Sequence, residues 1–135
     1  MTHPSAALRV VSRFRVPSAD RDAFLAHAAT AMDTLAGQPG CRGIALGQAT
    51  DDAELLLLTS EWDSVGAYRR GLSSFDVKMH AIPLLSTGID EASAFEIIRA
   101  VDADGLRTAA SGLAADAGQI GLGSAASPDV PSVST

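Results

Sequence analysis

The sequence has one cysteine, one lysine, one tryptophan, one tyrosine and no asparagine among its 135 residues. A lone cysteine cannot close an intramolecular disulfide. With no second Cys or His at ligand spacing, it does not define a structural zinc site either. Cys41 is therefore expected as core or strand-edge filler. The longest apolar run, LLLL at 55–58, falls far short of the roughly 20 residues that span a bilayer, so no membrane association is expected. The opening MTHPSAALR has no basic segment leading into an apolar core, so neither a signal peptide nor an anchor is evident and a cytoplasmic location is expected. Positive charge is also scarce. Ten Lys and Arg against sixteen Asp and Glu give a net charge of -6, and the basic residues form no run, so nucleic acid is not an expected partner. No cluster of His, Asp and Glu has metal-ligand spacing and no Gly-rich phosphate loop follows a strand, so neither a metal nor a cofactor is expected.

What is present fits one domain, the ordinary content of a chain of 135 residues. LRVVSRFRV at 8–16 alternates, with Leu8, Val10, Phe14 and Val16 on one face, interrupted by Ser12, and Arg9, Arg13 and Arg15 on the other. Pro17 and Ser18 stop this strand. Ser18 can cap a helix whose stripe of Phe24, Ala28, Ala31, Met32 and Leu35 ends at Gly37. CRGIALGQA at 41–49 and ELLLLTSEW at 54–62 flank a TDD turn and predict an antiparallel hairpin. Asp63 or Ser64 can cap a short helix through Leu72, with Val65, Tyr68 and Leu72 on one face. Ser73 or Ser74 can cap another, with Phe75, Met79 and Ile82 as its inward stripe and Pro83 limiting it. AFEIIRAV at 94–101 alternates Phe95, Ile97 and Arg99 against Glu96, Ile98 and Ala100, and predicts a fourth strand.

The order β-α-β-β-α-β predicts a ferredoxin-like α+β domain, a four-stranded antiparallel sheet with helices on one face. Its other face, holding Val11 and Ile98 among polar residues, needs cover, and a second copy stacked sheet on sheet supplies it economically. A homodimer is expected. The domain is placed at residues 8–101, after a flexible N-terminus at 1–7. Residues 102–135 read as an extension with a weak helix using Leu106, Ala110 and Leu113, then a small, polar, proline-punctuated tail.

A strand ending in SEW, then DSVGAYRRGLSSF, then a helix carrying His80, resembles the antibiotic biosynthesis monooxygenase family. The resemblance covers about residues 8–101 and rests on Glu61 and Trp62, Tyr68 six residues on, and Ser74 and Phe75. It implies a dimeric α+β barrel with a pocket in each subunit between sheet and helices. Some members oxidise polycyclic aromatic intermediates without metal or flavin, and others degrade haem. Anthrone oxygenases of this type line the pocket with a Trp and a Tyr at this spacing, matched here by Trp62 and Tyr68. They also carry an Asn where this chain has Leu58. Of the haem-degrading constellation only the histidine, at His80, is matched, so haem degradation is not expected.

A cofactor-free oxygenase needs a dry aromatic pocket, a proton acceptor and stabilisation for oxyanions. His80 is the candidate base, because histidine titrates nearest neutral pH, and Tyr68 can donate a phenolic hydrogen bond. Trp62, Tyr68, Leu58, Phe75 and Arg13 form the predicted substrate-binding set, with Arg13 able to steady an oxyanion. Packing offers a rival reading for each. Trp62 can seal the core, Tyr68 shares a face with Val65 and Leu72, His80 lies off the apolar stripe, and His27 is expected to face solvent. The first-strand arginines can pair with acids across a dimer interface. Two functions follow: a cofactor-independent monooxygenase for a small aromatic, polyketide-like substrate, or a non-catalytic barrel that binds a small apolar ligand or serves as an accessory subunit.

Overall fold

The structure is a computed structural model and describes residues 6–109. Strand β1 (Leu8–Arg15) is followed by a 3-10 turn at Ser18–Asp20 and helix α1 (Arg21–Ala36). The hairpin β2 (Cys41–Ala49) and β3 (Asp52–Trp62) comes next, then helices α2 (Val65–Leu72), α3 (Phe75–His80) and α4 (Ile82–Leu85). Strand β4 (Ala94–Glu96) completes an antiparallel sheet of order β2-β3-β1-β4, the ferredoxin-like arrangement the element order predicts. β3 begins two residues earlier than expected: the Glu54 amide donates to the Asp52 carboxylate at 3.0 Å and Asp52 pairs with Ala49, so the turn is tighter than the TDD segment suggests.

Alternation decides which face each strand buries. Leu8, Val10, Ser12 and Phe14 on β1 lie beside Trp62, Ser60, Leu58 and Leu56 on β3, all of them buried under the helices. α1 sets Ala28, Ala31 and Leu35 into this core, and Phe24 packs on Phe14 with ring centroids 5.1 Å apart. The opposite face carries Arg9, Val11, Arg13 and Arg15, the β3 residues Leu55, Leu57, Thr59 and Glu61, and Gly43, Ala45 and Gly47 from β2, and no described helix covers it. A Cβ added at Gly43 or Gly47 would meet nothing within 4 Å.

Gly40, at the turn into β2, is where backbone freedom counts. It has a φ of 89°, and a Cβ built on it would lie 2.6 Å from the Cβ of Ala67 in α2. Gly40→Ala is expected to lower the unfolding free energy by about 1–3 kcal/mol, from backbone strain and the clash together. Urea denaturation checks this, and an unchanged midpoint would contradict it.

Three expectations are corrected. The α3 segment buries Val77, Ala81 and Leu84, while Phe75 is 74% and Met79 54% exposed. Ser74 caps the helix as expected, accepting from the Val77 amide at 3.2 Å, but that start turns Val77 and Ala81 to the core and leaves Phe75 and Met79 toward solvent. Pro83 breaks the segment, so α4 restarts beyond Ala81. The fourth strand stops at Glu96, opposite Leu8, and Phe95 points to the bare face. β1 offers no further partner there, and a short strand Arg99–Asp102 (β5) pairs instead with Gly105–Thr108 (β6) as a separate hairpin. Leu106 is thus in a strand and not in the expected helix; Ala110 and Leu113 lie outside the described residues, as does His3. Before β1, Ala6 is buried and Ala7 accepts a 2.8 Å hydrogen bond from the Ile97 amide.

Candidate functional site

Trp62 closes β3 opposite Leu8, and its indole N–H donates to Ser60 Oγ at 2.9 Å. Two residues on, Ser64 caps α2 by accepting from the Ala67 amide, which sets Tyr68 one turn into the helix and onto the indole, with ring centroids 5.2 Å apart and tilted by 57°. Gly71 allows this approach, since a Cβ there would lie 3.1 Å from Cη2 and Cζ3 of Trp62. The pair is sealed, Trp62 being 0% and Tyr68 3% exposed. Burial pushes the Tyr68 phenol above its ordinary range, so at neutral pH it is a hydrogen-bond donor and not a phenolate. Leu58 is buried on the same sheet face.

The main cleft lies at the other end of the sheet. A volume of about 560 Å³, it opens between the end of β1, α1 and the α3–α4 segment, with Phe14, Phe24 and Leu84 as apolar lining and His27, Met79 and His80 beside them. Phe14 lies six residues from Leu8 along β1, which is roughly 20 Å at about 3.3 Å per residue. His80, the last residue of α3, therefore borders a cavity that neither Trp62 nor Tyr68 lines. His27 borders the same cavity from α1. The sequence signal for it was its place one turn after Phe24, on the flank of the apolar stripe rather than opposite to it.

The other predicted residues stand apart from this cleft. Arg13 is on the uncovered sheet face, where its Nε and one terminal N–H donate to the two carboxylate oxygens of Glu91, both at 2.8 Å. This paired fork holds the Glu91 carboxyl below its usual range and the Arg13 guanidinium above its own. Arg9 and Arg15 likewise pair within the chain, with Glu61 and Asp52. Phe75 points to solvent. A second cleft, about 430 Å³, separates the Leu8 end of the sheet from the β5–β6 hairpin; its arginines 9, 42 and 107 are each bridged to an acid. Among the described residues, no three His, Cys, Asp or Glu side chains converge as metal ligands, and no helix is long and apolar enough to cross a membrane.

The sequence profile of the antibiotic biosynthesis monooxygenase family matches residues 7–79. The fold is similar to the crystal structure of SnoaB, described as a cofactor-independent oxygenase from Streptomyces nogalater, with a TM-score of 0.57 and 25% identity over 67% of this chain and 92% of that one. A mutant of the same oxygenase gives a TM-score of 0.61 and 24% identity over 72% and 98%. A conserved protein from Methanosarcina mazei Go1 is 22% identical, with a TM-score of 0.58 over 67% and 92%. No curated protein matches the chain.

Proposed function

Because the chain belongs to the antibiotic biosynthesis monooxygenase family, we propose that it is a cofactor-independent oxygenase for a small, electron-rich aromatic substrate of polyketide type. The observation that carries this reading is the cleft between α1 and α3: about 560 Å³, within the usual range of small-ligand sites, apolar in its depth and bordered by His80. The described function of SnoaB, 25% identical, supports the reaction class.

The chemistry asks little of the protein. For an anthrone, His80 accepts a proton from the ring methylene, and the C–H electron pair delocalises into the aromatic system. That anion reduces dioxygen, and a C–O bond forms at the same carbon to give a hydroperoxide. Loss of the second hydrogen as a proton, with its bonding pair becoming the new C=O bond, breaks the O–O bond and releases hydroxide, which leaves as water. Anthrone and dioxygen thus give quinone and water, with no other reductant. Phe14, Phe24 and Leu84 keep water from the anion, and the flat rings of the substrate match an apolar slot. Trp62 and Tyr68 contribute by fixing the far end of the sheet. Oxygen uptake on adding 1,8-dihydroxyanthrone, with quinone as product, tests the proposal; absence of both sinks it.

The enclosure of the Trp62–Tyr68 pair favours a second reading, a non-catalytic barrel that binds a small apolar ligand, since the aromatic residues expected at the pocket do not meet it. Binding of the anthrone without oxygen uptake selects this reading.

The proposal includes a homodimer. The uncovered sheet face combines Leu55, Leu57 and Val11 with the small residues Gly43, Ala45 and Gly47, a flat surface that a second sheet can approach closely. Ala45 pairs with Thr59 and is exposed, so Ala45→Arg leaves the subunit intact while placing a charge on this face. In sedimentation velocity the wild type is expected at twice the 13.8 kDa chain mass and the variant at the chain mass; a dimeric variant contradicts this interface.

A further inference from the structure

We infer that His27 is the second proton carrier of the cleft, taking the hydrogen that leaves as the O–O bond breaks. The inference rests on the oxygenase reading above. It starts from the placement of two imidazoles on different elements that line one cavity, His27 on α1 and His80 at the end of α3, with Phe14, Phe24 and Leu84 as its apolar lining.

The reaction removes two hydrogens from one carbon. In a flat tricyclic substrate those two hydrogens project from opposite faces of the ring plane. His80 takes the first. When dioxygen adds on the face that this hydrogen vacated, the imidazolium of His80 gives its proton to the distal peroxide oxygen as the C–O bond forms. The remaining hydrogen then points to the other wall, out of reach of His80. A base is required there at the moment hydroxide departs. His27 accepts that proton while the C–H electron pair becomes the second bond of the carbonyl, then hands it to the hydroxide. Both imidazoles end neutral, and water carries away both protons.

The remaining charged groups on the cavity are Arg15 and Asp20. Arg15 is bonded to Asp52 at 2.8 Å and, as a guanidinium, cannot accept a proton. Asp20, in the turn that leads into α1, is the rival acceptor, and the experiment separates it from His27. His27 is exposed on its helix, so its replacement by glutamine leaves the core packing untouched.

The test follows oxygen uptake and quinone formation separately during a single turnover of 1,8-dihydroxyanthrone, with acid quenching to trap the hydroperoxide. The full-length wild type is expected to form quinone as fast as it takes up oxygen. In His27→Gln, uptake persists while quinone release slows by about tenfold or more and the hydroperoxide accumulates. Equal rates of uptake and release in His27→Gln overturn the inference, as does a parallel loss of both, which assigns His27 to binding alone. A delay in Asp20→Asn that His27→Gln lacks also overturns it. No oxygen uptake by the wild type overturns the oxygenase reading itself, an outcome distinct from all of these.

Discussion

Replacing Trp62 with alanine lowers the unfolding free energy by about 3–5 kcal/mol, the range for truncating a large buried aromatic. The indole is 0% exposed at the junction where β3 ends and α2 begins, packed against Tyr68 and under Gly71, whose lack of a Cβ lets α2 lie close. Its removal leaves a cavity between two elements that cannot collapse onto each other, because Ser64 fixes the start of α2 and the β1 and β2 pairings at Leu8 and Cys41 fix the end of the strand. It also strips Ser60 Oγ of its donor inside the core. Chemical denaturation with an unchanged slope and a lowered midpoint is the expected signature. A loss under about 1 kcal/mol would mean that the indole is not a core element, and would return it to the role of a pocket wall.

The second large effect is catalytic. His80→Gln is expected to reduce oxygen uptake with 1,8-dihydroxyanthrone by about 10²–10⁴-fold, the usual contribution of a positioned general base. Stability should stay within about 0.5 kcal/mol of wild type, because His80 is exposed at the end of a short helix. The contrast with Trp62→Ala makes the pair informative: one substitution costs folding and the other costs rate. If His80→Gln turns over as fast as the wild type, the base has been misassigned.

The core of the fold was legible because two periods run cleanly through the sequence. The two-residue alternation of LRVVSRFRV and the three- and four-residue spacing from Phe24 to Leu35 each turn inward the side chains they predict, with Phe24 and Met32 half-buried at the edge of the stripe. Ser64 and Ser74 cap the helices that the sequence assigns to them. The misreadings share one cause, which is that local pattern does not state which face or partner the neighbouring elements present. Phe75 and Met79 have helical spacing and apolar side chains, yet the helix start set by Ser74 turns Val77 and Ala81 inward instead. The alternation of AFEIIRAV continues past Glu96, but a strand needs a partner and β1 has ended. Which of the candidate residues share a cavity was not legible. The histidine and the aromatic pair were expected at one pocket, and only the register of β1 against β3 reveals that they belong to opposite ends of the sheet.

The separation of the two ends carries a consequence for how such a protein diversifies. Its heaviest structural anchor, the indole and phenol under α2, stands about 20 Å along the strands from the residues that line the α1–α3 cleft. Changes at Met79 or Thr87 on the cleft wall are therefore expected to leave the anchor intact. Cleft wall and anchor can thus vary independently at small thermodynamic penalty.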